Sequence, residues 1–156
     1  MRKILYIFID SDDKTDDRKF GHYAQSDIRH QPSDIFSYHF VVNREGLILP
    51  GTDIRCAVHL IPGPIYDPDK YNRSSIFIRY CGSIRPESWL MQSRTSCSTI
   101  MAQRTALLQL LVELRKHFPD SKILGVSEID GRELHCKNII VSDAMNFLRR
   151  ELSDHS

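Results

Sequence analysis

The chain has little net charge, few cysteines and no long apolar run. Its 156 residues carry 21 Lys and Arg against 20 Asp and Glu, a formal charge of +1, and no five basic residues stand in a row. No strong field therefore draws it to nucleic acid or to an anionic bilayer, and neither is expected as a partner. The apolar run at the start, Ile4 to Ile9, stops at Asp10, and Asp12, Asp13, Asp16 and Asp17 follow. A secretory signal needs roughly 7–15 apolar residues and a membrane span ~20, so the run reads as a buried strand and the location as cytoplasmic. The four cysteines, Cys56, Cys81, Cys97 and Cys136, include no C-x-x-C pair. Their spacing fits neither a zinc ribbon nor a small disulfide framework, and buried thiols in a reducing compartment are the plain reading. Repeats and low-complexity tracts are absent as well.

What is present is ordinary globular material: 41% hydrophobic and 26% charged residues, in a length that suits one domain over 1–156. Residues 3–10 are nearly continuously apolar, as a strand covered on both faces must be. Phe20, Tyr23, Ala24 and Ile28 have the spacing of a short amphipathic helix over 18–29. Tyr38–Val42 and Leu47–Leu49 read as two strands around the turn residues Asn43-Arg44-Glu45-Gly46, hence a hairpin. A short strand is expected over 54–59, a Pro-rich loop over 61–72, and a strand from Ser75 to Cys81. The clearest helix is expected at about 100–117, capped by Ser98 or Thr99 and striped by Leu107, Leu111, Leu114 and Phe118. A strand over Lys122–Val126 and a helix over Asp143–Leu152, capped by Ser142, complete the pattern. Alternating strands and helices with one hairpin imply an α/β domain, a mixed sheet with helices on its faces. In such sheets function gathers in loops beyond the strand ends, here 10–17, 59–73 and 126–138.

Three spots could carry chemistry. Tyr38-His39 opens the hairpin, and strand alternation sends only one of the two toward any given site. His59 precedes the Pro-rich loop. His135-Cys136 follows the fifth strand; neighbours in sequence rarely form a nucleophile and its base, so a metal ligand is the better functional reading of Cys136.

Taken in order, these segments resemble a known family. Ser37-Tyr38-His39-Phe40-Val41-Val42-Asn43-Arg44-Glu45-Gly46, followed by Pro50-Gly51, is similar to the hairpin motif of type-2 N-acetylmuramoyl-L-alanine amidases, the family of phage lysozyme-type amidases and peptidoglycan recognition proteins. Ala57-Val58-His59 resembles its G-A-H segment, Asn72-Arg73-Ser74-Ser75-Ile76-Phe77-Ile78 its N-x-x-S-I-G-I strand, and Ala102-Gln103 with Leu107, Leu108 and Leu111 its A-Q helix. The resemblance runs from Ile4 to about Val141. It implies a zinc ion held by two histidines and a cysteine or aspartate, which cleaves the amide between N-acetylmuramic acid and L-alanine with help from a tyrosine and, near the last ligand, a lysine or histidine.

The sequence departs from that pattern where the metal would bind. Asp10 stands in place of the first histidine. Val126, which has no lone pair, stands in place of the second, and Leu134 in place of the lysine; Cys136 and Tyr38 remain. The implied metal set is thus Asp10 and Cys136, with Tyr38 as the catalytic remnant and His59, Asn72 and Arg73 as substrate-binding groups. No cofactor is expected unless His135, Glu128 or His59 swings in to complete a zinc site. Three functions follow: a pseudoenzyme that binds peptidoglycan or muropeptide with little hydrolysis, an active amidase with a remodelled metal site, or a structural or regulatory protein that keeps only the fold. Such a phage-like protein would meet the cell wall on lysis.

Overall fold

The computed structural model describes residues 2–11, 35–60, 68–84, 98–128 and 139–155. Five strands form one sheet: β1 (Tyr6–Asp10), β2 (Phe40–Val42), β3 (Ile48–Pro50), β4 (Ser75–Tyr80) and β5 (Lys122–Gly125). Their order is β3-β2-β4-β1-β5. β2, β4, β1 and β5 run parallel, and β3 returns antiparallel as the second arm of the predicted hairpin. Among the described residues three helices accompany them: α1 (Pro68–Arg73), α2 (Ser98–His117) and α3 (Ile139–His155). This is the mixed α/β sheet that the sequence predicts.

The apolar run at the start becomes β1 because it lies between β4 and β5 and has both faces covered. Ile7 and Ile9 point to one face. There they join Ile76, Ile78 and Tyr80 of β4, the Leu107–Leu111–Leu114 stripe of α2, and Met145, Leu148 and Leu152 of α3. Phe8 points to the other face with Phe77, Tyr38, Val41 and Val58, flanked by Tyr6, Tyr71, Leu124 and Val126. The Phe8 and Phe77 rings stack with centroids 5.3 Å apart. Each such fully buried side chain contributes about 1.5–3 kcal/mol, so the sheet is fixed from both sides.

Several boundaries differ from expectation. Residues 54–59 are irregular rather than a strand. A helix, α1, occupies Pro68–Arg73 inside the segment predicted as loop; proline is tolerated at a first helical position, whose N–H has no intrahelical partner. α3 begins at Ile139, so Ser142 lies in its first turn instead of capping it. The β-branched run Ile139-Ile140-Val141 has weak helix propensity, so the sequence pattern starts the helix later than the structure does. The expected helix over 18–29 lies outside the described residues.

Two glycines explain hairpin positions. Gly46 has φ 84°, and a Cβ there would lie 2.7 Å from the carbonyl carbon of Ala102, so the turn presses directly on α2. At Gly51 a Cβ would lie 2.3 Å from the carbonyl oxygen of Tyr38, which fixes the backbone beside that tyrosine. Gln103, buried on the first turns of α2, donates its amide to the carbonyl of Cys81 at 2.9 Å and so ties the helix to the end of β4.

Candidate functional site

Parallel pairing aligns three strand ends. Asp10 is level with Arg79 across β1 and β4. Ile9 is level with Gly125, so Val126 follows at the level of Asp10. Alternation puts Asp10, Arg79 and Val126 on the same face as Phe8, Phe77 and Leu124. Tyr38, just before β2, completes the group: its hydroxyl donates to Oδ2 of Asp10 at 2.5 Å, in buried surroundings. Arg79 is 4% exposed, and its Nη1 donates to the main-chain carbonyl of Asp10 at 3.1 Å. This strand end therefore combines a carboxylate, a phenol and a guanidinium, the last charged at every relevant pH.

His39, next to Tyr38, does different work. Its main-chain N–H donates to the carbonyl of Phe77 at 2.9 Å, and its Nδ1 accepts the main-chain N–H of the same residue at 2.9 Å. The imidazole takes the place that a main-chain carbonyl would have if β2 began earlier. Because Nδ1 accepts, the proton sits on Nε2, which donates to the carbonyl of Cys56 at 2.7 Å. The Arg2 guanidinium lies 3.0 Å from the same ring nitrogen, a contact between two donors in this tautomer, and donates to the carbonyls of Ile54 and Arg73. Burial pushes the His39 pKa below its ordinary 6.5; the charge of Arg2 adds to this, while the bond to Cys56 and the charge of Asp53 oppose it. His39 is thus a neutral structural group that ties β2, β4 and the 53–56 turn together. In that turn, side-chain and main-chain hydrogen bonds from Arg55 lower the Asp53 carboxyl to about 2.

The remaining predicted residues are scattered. His59 is exposed and lines a cleft of about 370 Å³ with Phe36, Ser37, Thr52, Ala57 and Val58. The cleft adjoins Tyr38 through Thr52, whose main-chain N–H donates to the carbonyl of Tyr38 at 2.9 Å. Asn72 is buried and Arg73 exposed at the end of α1, just before β4 begins; they stand at the opposite end of the strands from Asp10. Cys136, His135 and Leu134 lie outside the described residues. Of the cysteines that are described, Cys81 is buried as expected, whereas Cys56 is exposed.

Glu128, considered above as a substitute ligand, is held elsewhere. It follows β5 in a short 3-10 turn, Val126–Glu128. Its Oε1 accepts the main-chain N–H of Gly125 at 2.8 Å and Nη2 of Arg149 at 2.6 Å. Arg149 also donates to the carbonyl of Ile123 at 3.0 Å. These bonds cover the outer edge of β5, the kind of unpaired strand edge that invites another chain.

A catalytic zinc needs three protein ligands and one open position. Among the described residues, no three His, Cys, Asp or Glu lie together. The donors at this strand end are one carboxylate already bonded to Tyr38, beside a valine and a guanidinium. These are the donors of the described residues alone; Cys136 and His135, the other candidate ligands, lie outside them. The sequence could have revealed Arg79 as a candidate: it is the one charged residue in the buried run Ile76-Phe77-Ile78-Arg79-Tyr80, and a charge in such a run has to be paired or functional.

The parallel sheet, its antiparallel edge hairpin and its covering helices define an amidase-like fold. The chain is similar in structure to the N-acetylmuramoyl-L-alanine amidase LysC from Clostridium intestinale URNW, with a TM-score of 0.51 and 15% identity, over 95% of this chain and 87% of that one. No protein-family model and no curated protein sequence matches. No helix among the described residues is long and apolar enough to cross a membrane.

Proposed function

We propose that this chain is a peptidoglycan-binding domain of amidase-like fold, a pseudoenzyme that takes muropeptide with little or no hydrolysis. The observation that carries this reading is the strand end itself: Tyr38 spends its hydroxyl on Asp10 at 2.5 Å, next to Val126 and the buried Arg79. A group that stabilises a developing oxyanion must aim its donor at the reacting oxygen. Here the phenol O–H is turned to a carboxylate instead. The fold and the cleft that opens beside Tyr38, lined by His59, Phe36, Ser37 and Thr52, support retained binding. An aromatic ring, hydroxyls and an imidazole suit a sugar and a short peptide.

The test joins two measurements on protein purified without chelator or His-tag. Calorimetric titration with a muropeptide is expected to show saturable binding that weakens on His59→Ala. Incubation with the same muropeptide, followed by mass spectrometry, is expected to leave the amide to L-alanine intact. Absence of binding defeats the proposal. Cleavage with near-stoichiometric zinc in elemental analysis replaces it by the active amidase.

A further inference from the structure

We infer that a cleft at the outer edge of β5 binds a small molecule through a multiply charged phosphate group, at a site separate from the Asp10 end of the sheet. The cleft has a volume of about 410 Å³ and brings Arg115, Lys122 and Arg149 together over Ile123, Leu124 and Leu152. Arg115 comes from the last turn of α2, Lys122 opens β5, and Arg149 lies on α3. Lys122 is level with Tyr6 at the start of β1, so the three cations stand at the opposite end of the strands from Asp10.

The whole chain has a formal charge of only +1, yet three cations and no carboxylate line this cleft among the described residues. Arg149 is held in place. Its Nη2 donates to Glu128 at 2.6 Å, its Nε to the carbonyl of Ile123 at 3.0 Å and its Nη1 to Oδ1 of Asn146 at 2.9 Å. These bonds leave two of the five guanidinium N–H groups over. Arg115 and Lys122 are exposed, and among the described residues they have no ion pair or side-chain hydrogen bond. The acid nearest Arg115 in sequence, Glu113, pairs with Lys116 instead.

The edge of β5 is not free to take a strand. The N–H of Lys122 points inward to the carbonyl of Leu5, so Ile123 and Gly125 turn their main-chain groups outward. The Ile123 carbonyl is taken by Arg149 and the Gly125 N–H by Glu128. What the cleft offers is side-chain positive charge above an apolar floor. Its volume lies within the range of small-molecule sites, about 300–1,000 Å³. Arginine meets phosphate oxygens with a planar fork and lysine with a point charge. A diphosphate carries its charge on one compact group and so engages all three cations together, which carboxylates spread along a carbon chain do not.

Calorimetric titration of tag-free protein with pyrophosphate, in dilute buffer without phosphate, is expected to show one saturable site per chain. Arg115→Gln with Lys122→Gln removes the two unpaired charges and is expected to weaken binding by about tenfold or more. Lys116→Gln with Arg150→Gln removes two exposed charges that do not line the cleft and is expected to leave the affinity nearly unchanged. All four side chains are exposed, so both double variants are expected to melt like the wild type, and lost binding is then not lost folding. Citrate, a polycarboxylate of similar charge, is expected to bind more weakly than pyrophosphate. Absence of saturable pyrophosphate binding overturns the inference. Equal weakening in the two double variants shows diffuse attraction to the surface and overturns it as well. Citrate bound as tightly as pyrophosphate refutes the assignment to phosphate. Muropeptide binding is expected to be the same in the wild type and both double variants, so this inference and the proposed function are tested apart.

Discussion

Replacing His39 separates its two hydrogen bonds, because asparagine and glutamine each imitate one ring nitrogen. Oδ1 of asparagine falls near the position of Nδ1 and can still accept the N–H of Phe77. Nε2 of glutamine falls near the imidazole Nε2 and can still donate to Cys56. The two partners are not equivalent. Phe77 is fully buried in β4, whereas Cys56 is exposed, so its carbonyl can turn to water. A buried donor left unsatisfied costs about 1–3 kcal/mol, and an ordinary hydrogen bond contributes about 1 kcal/mol net. His39→Asn is therefore expected to cost about 1 kcal/mol, His39→Gln about 2 kcal/mol, and His39→Leu, which loses both, about 3 kcal/mol. For a domain of this size each kcal/mol moves Tm by about 2–4 °C, so the leucine variant is expected to melt roughly 6–12 °C lower. Urea denaturation with a common m-value gives the ranking directly. A glutamine variant as stable as the asparagine variant, or more so, refutes the assignment of Nδ1 as the acceptor that completes the sheet.

The same side chain sets a pH dependence. The folded protein lowers the His39 pKa below 6.5, mainly by burial. The unfolded chain then binds the extra proton first as pH falls, and stability rises with pH wherever the unfolded state holds more protons. The contribution is complete above about pH 6.5 and is lost as pH drops through the lower folded value. The stability difference between wild type and His39→Asn is expected to shrink with acidification; a gap constant from pH 7.5 to pH 5 contradicts it.

Three further outcomes are expected. Tyr38→Phe removes the 2.5 Å bond to Asp10 and is expected to cost about 1–3 kcal/mol in urea titration, whereas a purely packing role for the ring would leave stability nearly unchanged. Glu128→Gln and Arg149→Met, combined in a double-mutant cycle, are expected to show a coupling of about 1–2 kcal/mol, since the pair is partly buried and each member also bonds to β5; additive effects would deny the clamp. Gly46→Ala combines a left-handed φ of 84° with a Cβ 2.7 Å from Ala102, and a loss of at least about 2 kcal/mol is expected by thermal melting.

The parts of the fold legible in the sequence are those fixed by local pattern. β1 is an unbroken apolar run, the hairpin carries its turn residues, and the leucines of α2 recur at helical spacing. α1 was hidden because Pro-rich composition signals a loop, while six residues that start at a proline can still close a helical turn. The ends of α3 were hidden because propensity weighs less than packing: Met145, Leu148 and Leu152 hold the helix on the sheet. At the site, the contact between Tyr38 and Asp10 follows from the motif order together with strand alternation. The place of Glu128 does not, because it depends on Arg149, 21 residues later, which reaches back to β5. Arg79 was visible as a residue and invisible as a neighbour, since the level of β4 against β1 is a tertiary fact.

The adjacent residues Tyr38 and His39 show why a motif is weak evidence of chemistry until its hydrogen bonds are counted. Both belong to the hairpin signature, and both are buried. His39 spends both ring nitrogens on main-chain groups, so substitution there is read out as stability. Tyr38 spends its hydroxyl on the side chain of Asp10, the residue that ends β1, so substitution there changes the polarity of the strand end. A sequence can keep the first for the sake of the sheet while the second loses its reaction, because the bonds of His39 do not depend on a metal or a substrate. The hairpin motif therefore does not by itself report catalysis, which has to be judged from the groups around Asp10, among them Tyr38, Val126 and the buried Arg79.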